Sequence, residues 1–246
     1  MLKNQCPVCN YHKLFYIRHL KGERTGKLFR LWFCRNCHSL FNPSGYREDD
    51  EQLCLDVDWH SNNYDDSVKR AELLIYNLLS EHDKAKSLID IGCGIGSVVT
   101  TAKSFNLKAV GVEPNRFAVD HAKKKFGIEL VCDYFKNGIC KQKFDLVTCN
   151  SVLEHLEKPR ILLKDAINTL NPGGLLFVSV PFRGRNVLKV LMYILFPNLK
   201  GTPFSLNDEH IVHFSHKSIQ MLAKEFGATS CKHLTWGWDG YLMRFD

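Results

Sequence analysis

From Ser87 onward the chain alternates short apolar runs with amphipathic stretches. "SLIDIG" (87–92) reads as a strand, "SVVTTAKSF" (97–105) as a helix, "KAVGVE" (108–113) as a strand and "RFAVDHAKKKF" (116–126) as a helix. "IELVC" (128–132) and "FDLVTCN" (144–150) continue as strands, and the helix "RILLKDAINTL" (160–170) leads into the strand "GLLFVSV" (174–180). "SIQMLAKEF" (218–226) predicts a last helix, with "SCKHLTW" (230–236) and "YLMRF" (241–245) as closing strands. This alternation implies crossover units, and so an α/β fold with a doubly wound, mostly parallel sheet covered on both faces.

Upstream, Ala71, Leu74, Ile75, Leu78 and Leu79 fall on one helical stripe, with Asp65, Asp66 or Ser67 as the expected cap. Residues 1–41 predict short strands around two cysteine pairs, ending at the turn "NPSG" (42–45). The pattern divides the chain into a small unit over 1–45 and a larger one over 46–246. Residues 182–206 break the alternation and read as an insertion. There Val187, Leu188, Leu191, Met192 and Leu195 share a helical face, with Arg183, Arg185 and Lys189 near its start. Such a helix forms a lid admitting a lipid-linked or phosphorylated acceptor, rests on a membrane surface, or simply packs on the sheet.

Composition narrows the setting. The 246 residues are 45% hydrophobic and 24% charged, ordinary for one α/β domain plus a small appendage. The N-terminal stretch carries no export signal, and the apolar run 187–196 contains a lysine and is far short of the ~20 residues a membrane span requires. A cytoplasmic chain without stable membrane insertion is the expectation. Of ten cysteines, Cys6, Cys9, Cys34 and Cys37 form two C-x2-C pairs, and the other six are scattered. Two such knuckles supply four thiolates for tetrahedral zinc, and the segment resembles a zinc ribbon. Four thiolates leave no open coordination position, so the metal's expected role is in folding.

The net charge is +7, and residues 1–35 hold eight Lys/Arg against the single acid Glu23. That basic head suits a nucleic acid or a phosphorylated ligand, or else forms a solvated surface.

Asp90, Gly92, Gly94 and Gly96 stand between the first strand and first helix of the alternation, where parallel sheets hold their ligands. The third glycine comes one position early for G-x-G-x-x-G, with Ser97 in its place. Glu113 ends the next strand, where a carboxylate accepts hydrogen bonds from both ribose hydroxyls. These features alone suit a dinucleotide and S-adenosylmethionine equally.

"LIDIGCGIG", "VGVEPN", "KFDLVTCNSVLEHLEKP" (143–159) and "LNPGGLLFVSVP" (170–181), in order and in spacing, resemble the class I S-adenosylmethionine-dependent methyltransferases. The branch most resembled contains the ubiquinone-biosynthesis O-methyltransferases, and the likeness covers about residues 65–245. It implies a seven-stranded Rossmann-like sheet with S-adenosyl-L-methionine as cofactor and S-adenosyl-L-homocysteine as product. It further implies that Gly92, Cys93 and Gly94 pass under the methionine part and Asp90 anchors the loop. Glu113 would hold the ribose and Pro114 lie beside the adenine. Asp133 would accept from the adenine amino group, with Tyr134 packed next to it, and the Asn150 and Ser151 carbonyls would border the sulfonium. Ile95 departs from the threonine or serine often found there.

An oxygen acceptor of high pKa needs a base, for which His210 and then His213 are the candidates, with His155 behind them. "EHIVHFS" (209–215) resembles the family's acceptor-side stretch; a loop-orienting role is the alternative for each histidine. The expected activity is methyl transfer, by O-methylation, to a small molecule such as a sugar or polyketide. The alternatives are an RNA methyltransferase gripping phosphates with the basic ribbon, and a non-catalytic S-adenosylmethionine-binding protein. Against RNA-base methylation, "NSVLEH" lacks an "NPPY"-type sequence.

Overall fold

The computed structural model describes residues 5–21, 28–42, 57–181, 186–195 and 210–246. In chain order these form β1 (Leu14–Lys21), β2 (Leu28–Cys34), β3 (Leu40–Phe41), α1 (Val57–Asn62), α2 (Tyr64–Glu81), β4 (Ser87–Ile91), α3 (Ser97–Ser104) and β5 (Lys108–Val112). Then come α4 (Arg116–Phe126), β6 (Phe144–Asn150), α5 (Pro159–Asn168), β7 (Leu170–Ser179), α6 (Asn186–Leu195), β8 (Val212–His213), α7 (His216–Glu225), β9 (Ser230–Trp236) and β10 (Trp238–Arg244).

The larger sheet has the order β5-β4-β6-β7-β10-β9. Its first four strands run parallel, while β10 lies antiparallel to β7 and β9 antiparallel to β10. The doubly wound, mostly parallel Rossmann-like architecture is therefore present, but with six strands among the described residues, not seven. The missing member is the strand expected over 128–132, which contributes one bridge, Val112 to Val131. Two backbone bonds hold it, Glu113 N–H to the Val131 carbonyl at 2.9 Å and Val131 N–H to the Gly111 carbonyl at 2.8 Å. The segment is too short for more. It leaves the left-handed cap of α4 at Gly127 and turns at Asp133, whose side chain takes the Tyr134 N–H at 2.8 Å.

Side-chain alternation sorts the core onto two faces. Leu146, Leu175 and Phe177 meet Ala71, Leu74, Ile75 and Leu78 of α2, the predicted stripe. Val147, Leu176 and Val178 face the opposite layer, with Leu163 of α5 and Ile219 and Leu222 of α7. Helix α2 begins earlier than expected: Asn63 is its cap residue, without a side-chain cap bond, and Asp65 and Asp66 lie in the first turn.

The smaller sheet has the order β1-β2-β3-β8. Its last strand comes from far along the chain, with Leu40 opposite His213 and Phe41 opposite Val212. Cys6, Val8, Cys34, Cys37 and Phe41 share one continuous core with Ile211, Val212 and Phe214. The boundary expected at residue 45 lies outside the described residues.

Candidate functional site

The glycine turn after β4 coils tightly. Gly92, Gly94 and Gly96 have φ of +67°, +55° and +84°. The Gly92 and Cys93 N–H groups both donate to the Val112 carbonyl, at 2.9 and 3.2 Å. At Gly92 no other residue fits: besides the left-handed φ, a Cβ would stand 2.4 Å from Val152 Cγ2.

Glu113 closes this turn from the end of β5. Its Oε2 accepts from the Gly94 N–H at 2.9 Å and its Oε1 from the Asn115 N–H at 3.0 Å. Burial raises its pKa, against the pull of the two N–H groups. A carboxylate offers about four lone-pair positions, so acceptor capacity remains for a diol.

Asp90, buried in β4, accepts from Thr148 Oγ1 of β6 at 2.7 Å. The bond runs across the sheet rather than into the glycine loop. Burial pushes the Asp90 carboxyl up to about 7, against the Thr148 bond, with the nearby Glu113 charge adding to the rise. Thr148 is a contributor that the sequence pattern does not announce, since it reads only as a strand residue.

The other expected cofactor residues lie at or after the ends of β5 and β6. Asn150 ends β6 with its amide buried, and neither Oδ1 nor Nδ2 has a hydrogen-bond partner among the described residues. Ser151 follows in the left-handed region, φ +54°, its N–H bonded to the Ser179 carbonyl at 3.0 Å. The Pro114 carbonyl faces Cys132 Sγ at 3.9 Å. Asp133 and Tyr134 are more open: Asp133 pairs with Lys136 at 3.3 Å and Tyr134 is exposed.

Beyond β6 a short 3-10 turn, Leu153–His155, begins a second cluster. The His155 ring meets His210 edge-on with centroids 4.8 Å apart, and His210 lies 5.7 Å from His213. All three expected histidines thus converge. With them stands a residue the sequence reading passes over, Glu154, only 1% exposed. Neither Glu154 carboxylate oxygen makes a well-formed hydrogen bond among the described residues. Burial pushes this carboxyl up to about 8, against a weaker pull from its own N–H and the Ser151 hydroxyl. The available signal was its position among Val152, Leu153 and Leu156, an apolar setting for a charged residue. The donor atoms of Glu154, His155 and His210 all lie within 4.8 Å of one another, a set of chemistry suited to a proton or a divalent cation. Cys149, fully buried in β6, feels the charges of both Glu154 and Asp90, so the two clusters adjoin.

The four paired cysteines converge as expected. Cys6 Sγ is 3.6 Å from Cys37 Sγ, and Cys9 Sγ is 3.5 Å from Cys34 Sγ. The knuckles repeat one geometry: Asn10 N–H bonds the Cys6 carbonyl at 3.0 Å, and His38 N–H bonds the Cys34 carbonyl at 2.8 Å. Asn10 and His38, each just past its pair, share a left-handed φ of 57° and 61°. In a tetrahedral site with Zn–S near 2.3 Å, sulfurs stand about 3.8 Å apart, close to the spacing here. The Asn36 amide donates toward Cys9 Sγ at 3.5 Å, a supporting bond typical of a thiolate ligand.

Through Val190, helix α6 packs on the head. Val190 joins Phe29, Leu31, Phe33 and Leu40 in one cluster, while Leu188, Leu191 and Leu195 of the expected face are exposed. Arg183, Arg185 and residues 196–206 of the expected insertion lie outside the described residues.

The profile of a family described as "Methyltransferase domain" matches residues 64–232. A ubiquinone biosynthesis O-methyltransferase of Coxiella burnetii is 30% identical over 103 residues, covering 39% of this chain and 44% of that protein. Its mitochondrial counterpart in Schizosaccharomyces pombe is 30% identical over 102 residues, covering 38% and 37%. The chain therefore spans less than half the length of these curated relatives. Among solved structures, CalS10, an amino pentose methyltransferase from Micromonospora echinaspora, superposes with a TM-score of 0.58 at 15% identity, covering 79% of this chain and 98% of that one. Streptomyces venezuelae DesVI gives 0.56 at 16% identity, covering 76% and 98%. At such identities the likeness bears on the fold.

Proposed function

Because this chain belongs to the class I S-adenosylmethionine-dependent methyltransferases, we propose that it moves a methyl group to an oxygen of a small-molecule acceptor. The observation that carries the proposal is Glu113, a buried carboxylate locked between the Gly94 and Asn115 amides at the strand end, with acceptor positions still to fill. The relatives' own names, O-methyltransferases of a biosynthetic route, favour oxygen as the nucleophile and a small molecule as its carrier.

The chemistry of the turn suits the cofactor. Gly92, Cys93 and Gly94 would bring backbone close to its methionine part, and Glu113 would take the ribose hydroxyls. Pro114, Asp133 and Tyr134 would flank the adenine. The Asn150 amide, buried without a partner among the described residues, and the Ser151 carbonyl would border the sulfur. Bound there, S-adenosylmethionine supplies an electrophilic methyl group on a cationic sulfur. Acidic and carbonyl neighbours favour that charge; a phosphate site would instead present donors.

The protein's remaining task is to align the acceptor and remove its proton. His210 is the proposed proton acceptor, at one ring nitrogen, with His213 and His155 beside it. Glu154, ionised only as pH rises towards 8, would favour the imidazolium once it has lost its own proton. Burial of Glu154, His210 and His213 keeps water from competing for the methyl group.

In this reading the head over 1–45 is a structural zinc unit and 46–246 the methyltransferase domain. Cys6, Cys9, Cys34 and Cys37 would hold one Zn2+, which a unit with so little core of its own uses to fold. A reducing cytoplasm suits the reduced thiols. No helix among the described residues is long and apolar enough to cross a membrane.

The test is transfer of radiolabelled methyl from S-adenosylmethionine into cell extract separated into small-molecule, RNA and protein fractions, alongside calorimetric binding of S-adenosylhomocysteine. Label in small molecules is expected. Nuclease-sensitive label in RNA overturns the acceptor assignment and makes the basic head the targeting element. Binding with no label in any fraction overturns turnover and leaves a cofactor-binding protein.

A further inference from the structure

The four-sulfur head is tied to the rest of the chain at particular places. On one knuckle, Arg160 of α5 donates to the Val8 carbonyl at 2.7 Å and also pairs with Glu225 of α7. On the other, Ser215 Oγ donates to the Cys37 carbonyl at 2.5 Å. Between these ties, β3 is bonded to β2 on one edge and to β8 on the other, and Asn42 N–H reaches the Ile211 carbonyl at 2.8 Å. The segment 37–42 is therefore zipped to 211–215, which holds His213 and follows directly on His210. The same small sheet carries α6, since Leu40 and Val190 belong to one apolar cluster with Phe29, Leu31 and Phe33.

The cofactor turn has no such ties. Gly92, Gly94, Asp90 and Glu113 bond to Val112, Glu113, Thr148, Gly94, Asn115 and Val131. Among the described residues no hydrogen bond joins this turn to residues 5–42.

We infer that the four-cysteine head is the positioning element of the methyl-accepting side: metal held by Cys6, Cys9, Cys34 and Cys37 fixes β3, β3 fixes β8, and β8 sets His213 and His210 against His155 and Glu154. Cys37, Leu40 and Ser215 act here as positioning residues, none touching the reacting atoms. The head thereby serves the acceptor and leaves the cofactor alone. The inference rests on the head binding zinc and on the histidine cluster being the accepting side.

The test uses the full chain with 13C-labelled histidine. Ring C–H signals are assigned through His210→Gln and His213→Gln, metal content is read by elemental analysis, and S-adenosylhomocysteine affinity by calorimetry. A strong zinc chelator should move the His210 and His213 signals while affinity stays within about twofold. Ser215→Asp keeps the acceptor that caps α7 but removes the donor to Cys37. It should move the His213 signal with one zinc still bound. Protein that takes up no zinc under reducing conditions defeats the zinc reading itself. Zinc that binds and leaves without moving either signal overturns the inference alone. Loss of cofactor affinity in step with the histidine shifts also overturns it, because the head would then support the whole fold.

Discussion

Glu113 and Glu154 are both carboxylates buried beside the ends of parallel strands, yet their surroundings differ in kind. Glu113 is pinned by two backbone N–H groups within its own βαβ unit. Glu154 makes no well-formed hydrogen bond among the described residues, and burial holds its carboxyl near 8 against a weaker pull from its own N–H and the Ser151 hydroxyl. The first carboxylate is fastened before any ligand arrives. The other is left with unmet polar capacity, and a buried carboxylate in that condition costs stability when it ionises. The Glu113 side, the proposed cofactor end, is bonded within one βαβ unit; the Glu154 side, the proposed acceptor end, is assembled by distant segments.

Glu154→Gln breaks this comparison most strongly. The Glu154 carboxyl has its pKa raised in the folded chain, from 4.5 to about 8. The folded state therefore binds the extra proton, so stability is full below about 4.5 and declines as pH rises towards 8. Glutamine does not ionise and should remove that decline. Urea unfolding at pH 5.5 and 8.5 should show the variant gaining on the parent by roughly 2–4 kcal/mol at the higher pH. An unchanged difference at the two values would mean Glu154 meets water or a cation in the folded chain.

Glu113→Gln is next. It replaces the pinned carboxylate with an amide that accepts at one atom only, and should weaken S-adenosylhomocysteine binding about 10–100-fold, or about 1.4–2.8 kcal/mol. Calorimetry reads it, and Glu154→Gln should stay within about threefold of the parent in the same titration. Equal losses in both would erase the distinction between the two ends.

Thr148→Val sharpens the comparison from the Glu113 side. Losing the 2.7 Å bond to Asp90 removes the interaction that favours the ionised form, so the carboxyl should rise above its present value near 7. At pH 8 the variant should lose about 1 kcal/mol, roughly 2–4 °C in melting temperature for a chain of this size, and less at pH 5.5. A loss that is the same at both pH values would assign Thr148 a packing role alone.

The two ends also differed in how much the sequence disclosed. The turn at 92–96 and Glu113 were legible because their partners lie within about one βαβ unit, and glycine spacing reports backbone conformation directly. The two C-x2-C pairs were legible for a similar reason, since each knuckle folds on itself around one left-handed residue. What stayed hidden was tertiary. Val212 and His213 form a strand only because Leu40 and Phe41 lie opposite them, and two residues carry no alternation to read. The strand expected over 128–132 had apolar residues enough, but Gly127 and the turn at Asp133 leave room for one bridge. Glu154 looks like any surface acid until the chain buries it.

The tie between Ser215 and Cys37 spans 178 positions. At about 5–20 residues per second, the ribosome delivers the second partner roughly 10–40 seconds after the first. For that interval the head has no β8 beside it and no α7 beneath it, while Leu40 and Phe41 present an unpaired strand edge. A metal captured by Cys6, Cys9, Cys34 and Cys37, as proposed, would give the nascent head a shape of its own during the wait and keep that edge ready for the strand that completes it.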